Sequence, residues 1–297
     1  MQRSRSANAY AFLAFPLAVL LLFSLLPTIL GLGLAFFRWD GGGAPAFVGL
    51  ANFRALVGDH RFGPAVLNTI VYVVASVPPS VVLAFLLAVA VHARWFRGKA
   101  LVRTLLFLPT IVSIVAIGFV WRWMLDDQAG LLQWALGLVG IADPPDWLNE
   151  GRWPLVAIVV VTIWRNIGFC LVFYLAALAN VDETLYEAAD LDGASSWATL
   201  RHVTWPQVAP TTIFLLVTGV ISALQVFDIV YVMSSRQVGP GVTVLNYEVY
   251  SHFRNGQLGY AAALGVVIFL LTLAVTAGQL RLLRPRPLPA GARRAAA

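Results

Sequence analysis

Residues 10–37 read YAFLAFPLAVLLLFSLLPTILGLGLAFF. A bilayer core of roughly 30 Å is crossed by about 20 apolar residues in a helix, and this run is longer than that. Arg3 and Arg5 precede it, as the basic region of a signal peptide would. The run is too long for a signal core, however, and no small-residue cleavage site follows it. It reads as a retained first transmembrane helix.

Working outward, comparable apolar runs occupy residues 65–92, 101–125, 154–179, 208–233 and 260–280. Together they predict an all-α membrane protein of six transmembrane helices, with both termini on one side. Of the 297 residues, 60% are hydrophobic and only 11% are charged, too little polar surface to solvate a water-soluble globule of this size. The expected division is an N-terminal segment at 1–9, one transmembrane domain at 10–283, and a Pro-, Arg- and Ala-rich tail at 284–297 that reads as disordered.

The formal charge of +6 could point to nucleic acid, but the basic residues fall in blocks beside apolar runs. Arg94, Arg97, Lys99 and Arg103 follow the second run, and Arg281, Arg284, Arg286, Arg293 and Arg294 follow the sixth. The positive-inside rule puts those loops, and both termini, in the cytoplasm. The loop after the third run carries Asp126, Asp127, Asp143, Asp146 and Glu150 against Arg152, the composition of an outside loop. Trp39, Trp121, Trp123, Trp147 and Trp153 fall at the outer interface, where rings with an apolar face and a polar edge anchor helices.

One cytoplasmic loop differs from the rest: 180–207, NVDETLYEAADLDGASSWATLRHVTWPQ. Thr184 and Glu187 have capping-box spacing, so a helix is expected to start there, and Gly193 is placed to end it in a left-handed conformation. Ser195 or Ser196 can cap a second helix, whose extent Pro206 limits. Read from the residues alone, this is either an ordinary amphipathic connector or a docking element. In the second case Ala188 and Ala189 let a partner approach, while Glu187, Asp190 and Asp192 face a basic cleft.

Glu187-Ala188-Ala189, Asp192-Gly193-Ala194, and Val203, Thr204 and Pro206 resemble the EAA loop of binding-protein-dependent ABC importers. The resemblance extends to Trp164, residues 173–180, Gln225-Val226-Phe227-Asp228, residues 242–250, Phe253 and Gly259-Tyr260-Ala261-Ala262, which look like carbohydrate-type permeases. It departs at Leu200 and Trp205, and at Ser234-Ser235-Arg236-Gln237 before Gly239-Pro240. The resemblance implies a permease subunit in a bacterial inner membrane, working by alternating access with two cytoplasmic ATPase subunits, a sister permease in a heterodimer, and an extracytoplasmic solute-binding protein. Glu187, Ala188, Ala189, Asp192, Gly193 and Pro206 would then couple it to ATP hydrolysis.

Arg165 lies near the middle of the fourth run, where a charge is costly unless it faces protein or water. Asp228, in the outer part of the fifth run, is within reach of pairing with it. Such a pair could merely fix helix packing. Alternatively, Trp164, Arg165, Asn166 and Phe169 line a translocation path with Gln225, Phe227, Asp228 and Tyr231, offering rings and hydrogen bonds to a sugar.

Gly98-Lys99 lacks the remainder of a Walker A sequence, so ATP is expected to be handled by another polypeptide. His60, His92, His202 and His252 are scattered, and Cys170 is the only cysteine. No catalytic centre, metal site or cofactor is expected. The competing reading is a secondary transporter driven by an ion gradient. It requires buried carboxylates, of which only Asp228 lies well inside a run, and an internal repeat, which is not evident.

Overall fold

A computed structural model describes residues 12–93, 98–141, 144–234, 239 and 241–283. The expectations for 1–9, for Arg94 and Arg97, for Asp143, for Ser235, Arg236, Gln237 and Pro240, and for the 284–297 tail lie outside the described residues.

Among the described residues five helices are long and apolar enough to cross a membrane: α1 (Phe12–Leu34), α3 (Phe62–His92), α7 (Trp153–Ala179), α9 (Ser196–Leu224) and α12 (Leu258–Leu282). The third apolar run is not a straight rod. It divides into α4 (Lys99–Ile111) and α5 (Ile114–Met124), bent by 100°. Val112 turns to an extended backbone between them. Counting this pair as one span gives six.

The fifth run also departs from expectation. Helix α9 ends at Leu224, and a separate short helix, α10 (Asp228–Met233), follows. Phe227 leaves the helical region, with φ −145° and ψ −57°, and so turns the chain between them. Apolar count reports which residues avoid water, but it does not report where the backbone changes direction.

The chain divides into two compact units. In the unit formed by residues 64–244 and 272–297, α7 packs against α4, α9 and α10, while α5 packs against α10. Glycines set how closely these helices approach. A Cβ on Gly168 would lie 2.0 Å from the Leu106 carbonyl oxygen, one on Gly118 would lie 2.8 Å from Val232 Cγ1, and one on Gly219 would lie 2.9 Å from Val77 Cγ1. Buried hydroxyls add pairs between helices: Tyr72 with Thr162 at 3.1 Å, and Tyr174 with Thr212 at 2.9 Å. Such pairs contribute only about 0.6 kcal/mol each in a membrane, so close packing around small residues dominates.

Residues 1–63 and 245–271 form the other unit. After α1, strand β1 (Phe37–Arg38) pairs antiparallel with β2 (Ala46–Phe47), in register Phe37 with Phe47. Helix α2 (Ala51–Gly58) brings Asn52, whose amide donates to the carbonyls of Ala35 and Phe37 at 2.8 and 2.9 Å. Further along, α11 (Leu245–Arg254) leads to α12, whose Leu258 amide donates to the Trp39 carbonyl at 3.0 Å.

Between the units' main helices in sequence lie two short elements: α6 (Leu131–Leu138), and α8 (Glu183–Leu191) in the 180–207 loop.

Candidate functional site

The larger packed unit contains a cavity of about 370 Å3 walled by segments of α3, α7, α9 and α10. Its charged and amide groups are Arg165, Asn166, Gln225 and Asp228; its rings include Phe169 and Phe227. Six of the eight residues expected along a translocation path therefore line one space.

Trp164 and Tyr231 do not. Trp164 packs edge-on against Trp121 at 5.6 Å, and Tyr231 stacks on Phe227 at 5.4 Å. Tyr72, Ser80, Thr162, Thr218 and Ser222 also line the cavity. Sequence reasoning missed these because hydroxyl residues inside apolar runs ordinarily return their hydrogen bond to the preceding turn. Ser80 and Thr218 do so here, donating to Ser76 and Phe214 carbonyls at 2.7 Å. A polar oxygen nevertheless remains on the wall.

The Arg165–Asp228 ion pair, left open by the sequence, is not formed among the described residues, although both residues line the cavity. Arg165 Nε is buried without a hydrogen-bond partner. The break after α9 places Asp228 at the start of α10 rather than on a continuation of α9. The wall thus presents a donor group and an acceptor group separately. With a few convergent polar groups among rings and aliphatic carbons, it has the composition of a small-molecule site, and its volume falls within the roughly 300–1,000 Å3 of such sites.

The second candidate is the 180–207 loop. Helix α8 starts earlier than the capping-box reading places it: Asp182 is the N-cap, its carboxylate accepting from the Thr184 amide at 3.0 Å. Aspartate is among the strongest cap residues, and two residues upstream it recruits Glu183 into the helix. The same hydrogen bond holds the Asp182 carboxyl below its ordinary pKa.

Gly193 ends the helix at φ +69°, as expected. The Ala194 amide then reaches back to the Ala189 carbonyl at 2.9 Å. Ser195 caps the next helix, accepting from the Ala198 amide at 3.3 Å. This second helix is not limited by Pro206. It continues through a wide π-helical turn at Leu200–Thr204 into the long α9, with Pro206 just beyond that turn. A widened turn relieves the contact between a proline ring and the carbonyl four residues before it.

Glu187, Ala188, Asp192, Gly193 and Pro206 are exposed, and Ala189 is half-buried. Leu191 is 90% exposed and Trp197 69% exposed, leaving two apolar knobs among the acids. Tyr186, its hydroxyl 3.3 Å from Thr204 Oγ1, links the two arms of this elbow. Among the described residues no group of three or more His, Cys, Asp or Glu is arranged to hold a metal ion.

Comparison with known proteins assigns the architecture. Residues 48–287 match the model of the family described as binding-protein-dependent transport system inner membrane component. The lactose transport system permease protein LacF of Rhizobium radiobacter is 32% identical over 93% of this chain and 94% of its own. The sn-glycerol-3-phosphate transport system permease protein UgpA of Agrobacterium fabrum is 33% identical over 81% of this chain and 82% of its own. A chain from a bacterial ABC transporter involved in the import of the acidic polysaccharide alginate superposes with a TM-score of 0.83, at 24% identity, covering 95% of this chain and 96% of that one. The family match displaces the reading as an ion-driven carrier: the chain belongs to the inner-membrane permease components of binding-protein-dependent ABC importers.

Proposed function

We propose that the chain translocates a sugar or sugar-like solute by alternating access, driven by ATP hydrolysis in partner subunits. The cavity carries this reading. Phe169 and Phe227 offer faces to the C–H surface of a pyranose, while Arg165, Asn166, Gln225 and Asp228 offer donors and acceptors for its hydroxyls. Trp164 and Tyr231, adjacent in sequence or by stacking to lining residues, are candidates for neighbouring stages of the path. Relatives named for lactose and for trehalose/maltose support the sugar class.

The 180–207 loop is the EAA coupling element in this proposal. Leu191 and Trp197 enter an apolar notch of a cytoplasmic ATPase, and Glu187 and Asp192 meet basic groups around it. Gly193 fixes the angle of the elbow; Ala188 and Ala189 keep its face low, and Pro206 starts the long arm. The working assembly comprises two permease chains, this one and a sister, with two ATPase subunits and an extracytoplasmic solute-binding protein. The bent α4–α5 pair counts as one of six spans in a domain covering 10–283 of a bacterial inner membrane, and both termini are cytoplasmic.

Sugar-stimulated ATPase activity of the assembled complex in proteoliposomes tests the coupling role. Glu187→Lys and Gly193→Asp, while still inserting, are expected to lose stimulation by about tenfold or more, within the usual range of coupling energies. Uptake that proceeds without ATP and ignores both substitutions would overturn the reading.

A further inference from the structure

A cluster of titratable groups stands apart from the cavity, in the unit formed by residues 1–63 and 245–271. Glu248 is only 4% exposed, although α11 is a short polar helix. One turn on, His252 brings Nε2 to 3.4 Å from Glu248 Oε2. Its Nδ1 meets Gln257 Oε1, and its ring lies 4.4 Å from that of Tyr260. Tyr260 in turn donates its hydroxyl to Asp59 Oδ2 at 2.7 Å.

Both ring nitrogens of His252 therefore face oxygen acceptors. Protonated, the ring presents one N–H toward Glu248 and the other toward Gln257. Glu248 Oε2 is buried without a hydrogen-bond partner, and His252 Nε2 stands 3.4 Å from it. The cluster joins three segments of this unit: Tyr260, in the first turn of α12, bonds to Asp59 in the turn after α2, and His252 of α11 meets the Tyr260 ring and Gln257.

We propose that Glu248, His252, Asp59 and Tyr260 form a proton-operated clasp: charged His252 holds α11 to Gln257 and to the Tyr260 ring at the start of α12, where Tyr260 is bonded to Asp59, and its deprotonation loosens α11. Other titratable groups lie nearby, Tyr247 close enough to feel the charge of Glu248. Arg38, Asp40 and His60 line the same cavity as Asp59, His252 and Tyr260. Of these, His60 is engaged with Asp59 at 3.7 Å. Arg61 donates its backbone amide to Asp59, and Arg254 lies over the Tyr250 ring at 5.8 Å.

The electrostatics agree in sign. The contact with Glu248 raises the His252 pKa; partial burial opposes this, while Gln257 and the charges of Glu248 and Asp59 add to it. Burial pushes the Asp59 carboxyl upward, but the Arg61 amide, the Tyr260 hydroxyl and the charges of His60 and His252 outweigh it, leaving a lowered pKa. The histidine contribution is therefore complete below the unfolded value of about 6.5 and is lost as pH rises through the higher folded value. The Asp59 contribution is present above its unfolded value and is lost as pH falls through the lowered folded one. The clasp closes between these limits and opens on the alkaline side.

Hydrogen–deuterium exchange of the assembled complex, corrected for intrinsic rates, reads the clasp directly in peptides from α11. Exchange there is expected to be roughly tenfold faster at about pH 8.5 than at about pH 6, with α7 unchanged as the control for an intact fold. His252→Gln should abolish the difference, and Glu248→Gln should move the transition to lower pH. A wild-type α11 with no pH dependence, a difference that survives His252→Gln, or a transition unmoved by Glu248→Gln overturns the proposal. If His252→Gln does not assemble, Glu248→Gln alone decides.

Discussion

Helices α8 and α11 both carry acids on short amphipathic segments, under opposite conditions. On α8, Glu187 and Asp190 stand in solvent, and the helix is held by contacts from its own neighbourhood: the Asp182 cap, the Gly193 turn and the Tyr186–Thr204 link. On α11, Glu248 is buried and depends on His252. The first arrangement leaves its charges free to meet another molecule. The second uses a charge to hold the chain's own segments, so protons can act on it.

A pair of glycines sharpens this contrast and provides its largest test. Gly259, at the start of α12, has no positive φ, but a Cβ there would lie 1.9 Å from the Phe37 carbonyl oxygen. Gly259→Ala must push two backbones apart, and thermal unfolding is expected to show a loss of about 3 kcal/mol. Gly193 has open space around its absent Cβ and is required for φ +69° instead. Gly193→Ala should cost about 1–2 kcal/mol, confined to faster exchange in α8, and Gly193→Asn should cost less. An equal, global loss for both substitutions would break the distinction between tertiary and local control.

The smallest effect concerns the Asp182 cap. Asp182→Ala is expected to fray the first turn of α8 without changing global unfolding, as measured by exchange at Glu183 and Thr184. Because the folded pKa of this exposed carboxyl is lowered, its contribution is present above the unfolded value and disappears as pH falls through the folded one. Wild type and variant should therefore converge in acid.

These differences explain what was legible in the sequence. Gly193 and Ser195 could be read directly, because a left-handed turn and a cap depend on adjacent residues. The helix cap lies at Asp182 rather than Thr184 because both residues can cap and the earlier one adds Glu183 and Thr184 to the helix. Arg165, Asn166, Phe169, Gln225, Phe227 and Asp228 converge on one cavity as their polarity within apolar runs implies. The breaks at Val112 and Phe227 carry weaker marks, Pro109 and Ser113 beside the first and Gln225 and Asp228 beside the second, within runs whose apolar character resumes on the far side. His252 appeared isolated in sequence because its partners include Asp59 and Tyr260 on other segments, and Glu248, whose burial depends on the tertiary fold.

Helix α9 runs from Ser196 through its π-helical turn to Leu224, and 29 residues at about 1.5 Å each give a length of about 44 Å. Trp197 stands near one end, and Thr218 and Ser222, on the wall of the cavity, near the other. A rod has no slack to take up. In the proposed coupling role, a displacement of the exposed end is carried to the cavity wall along this one helix, whose backbone ladder lacks donors only at Pro206 and Pro210.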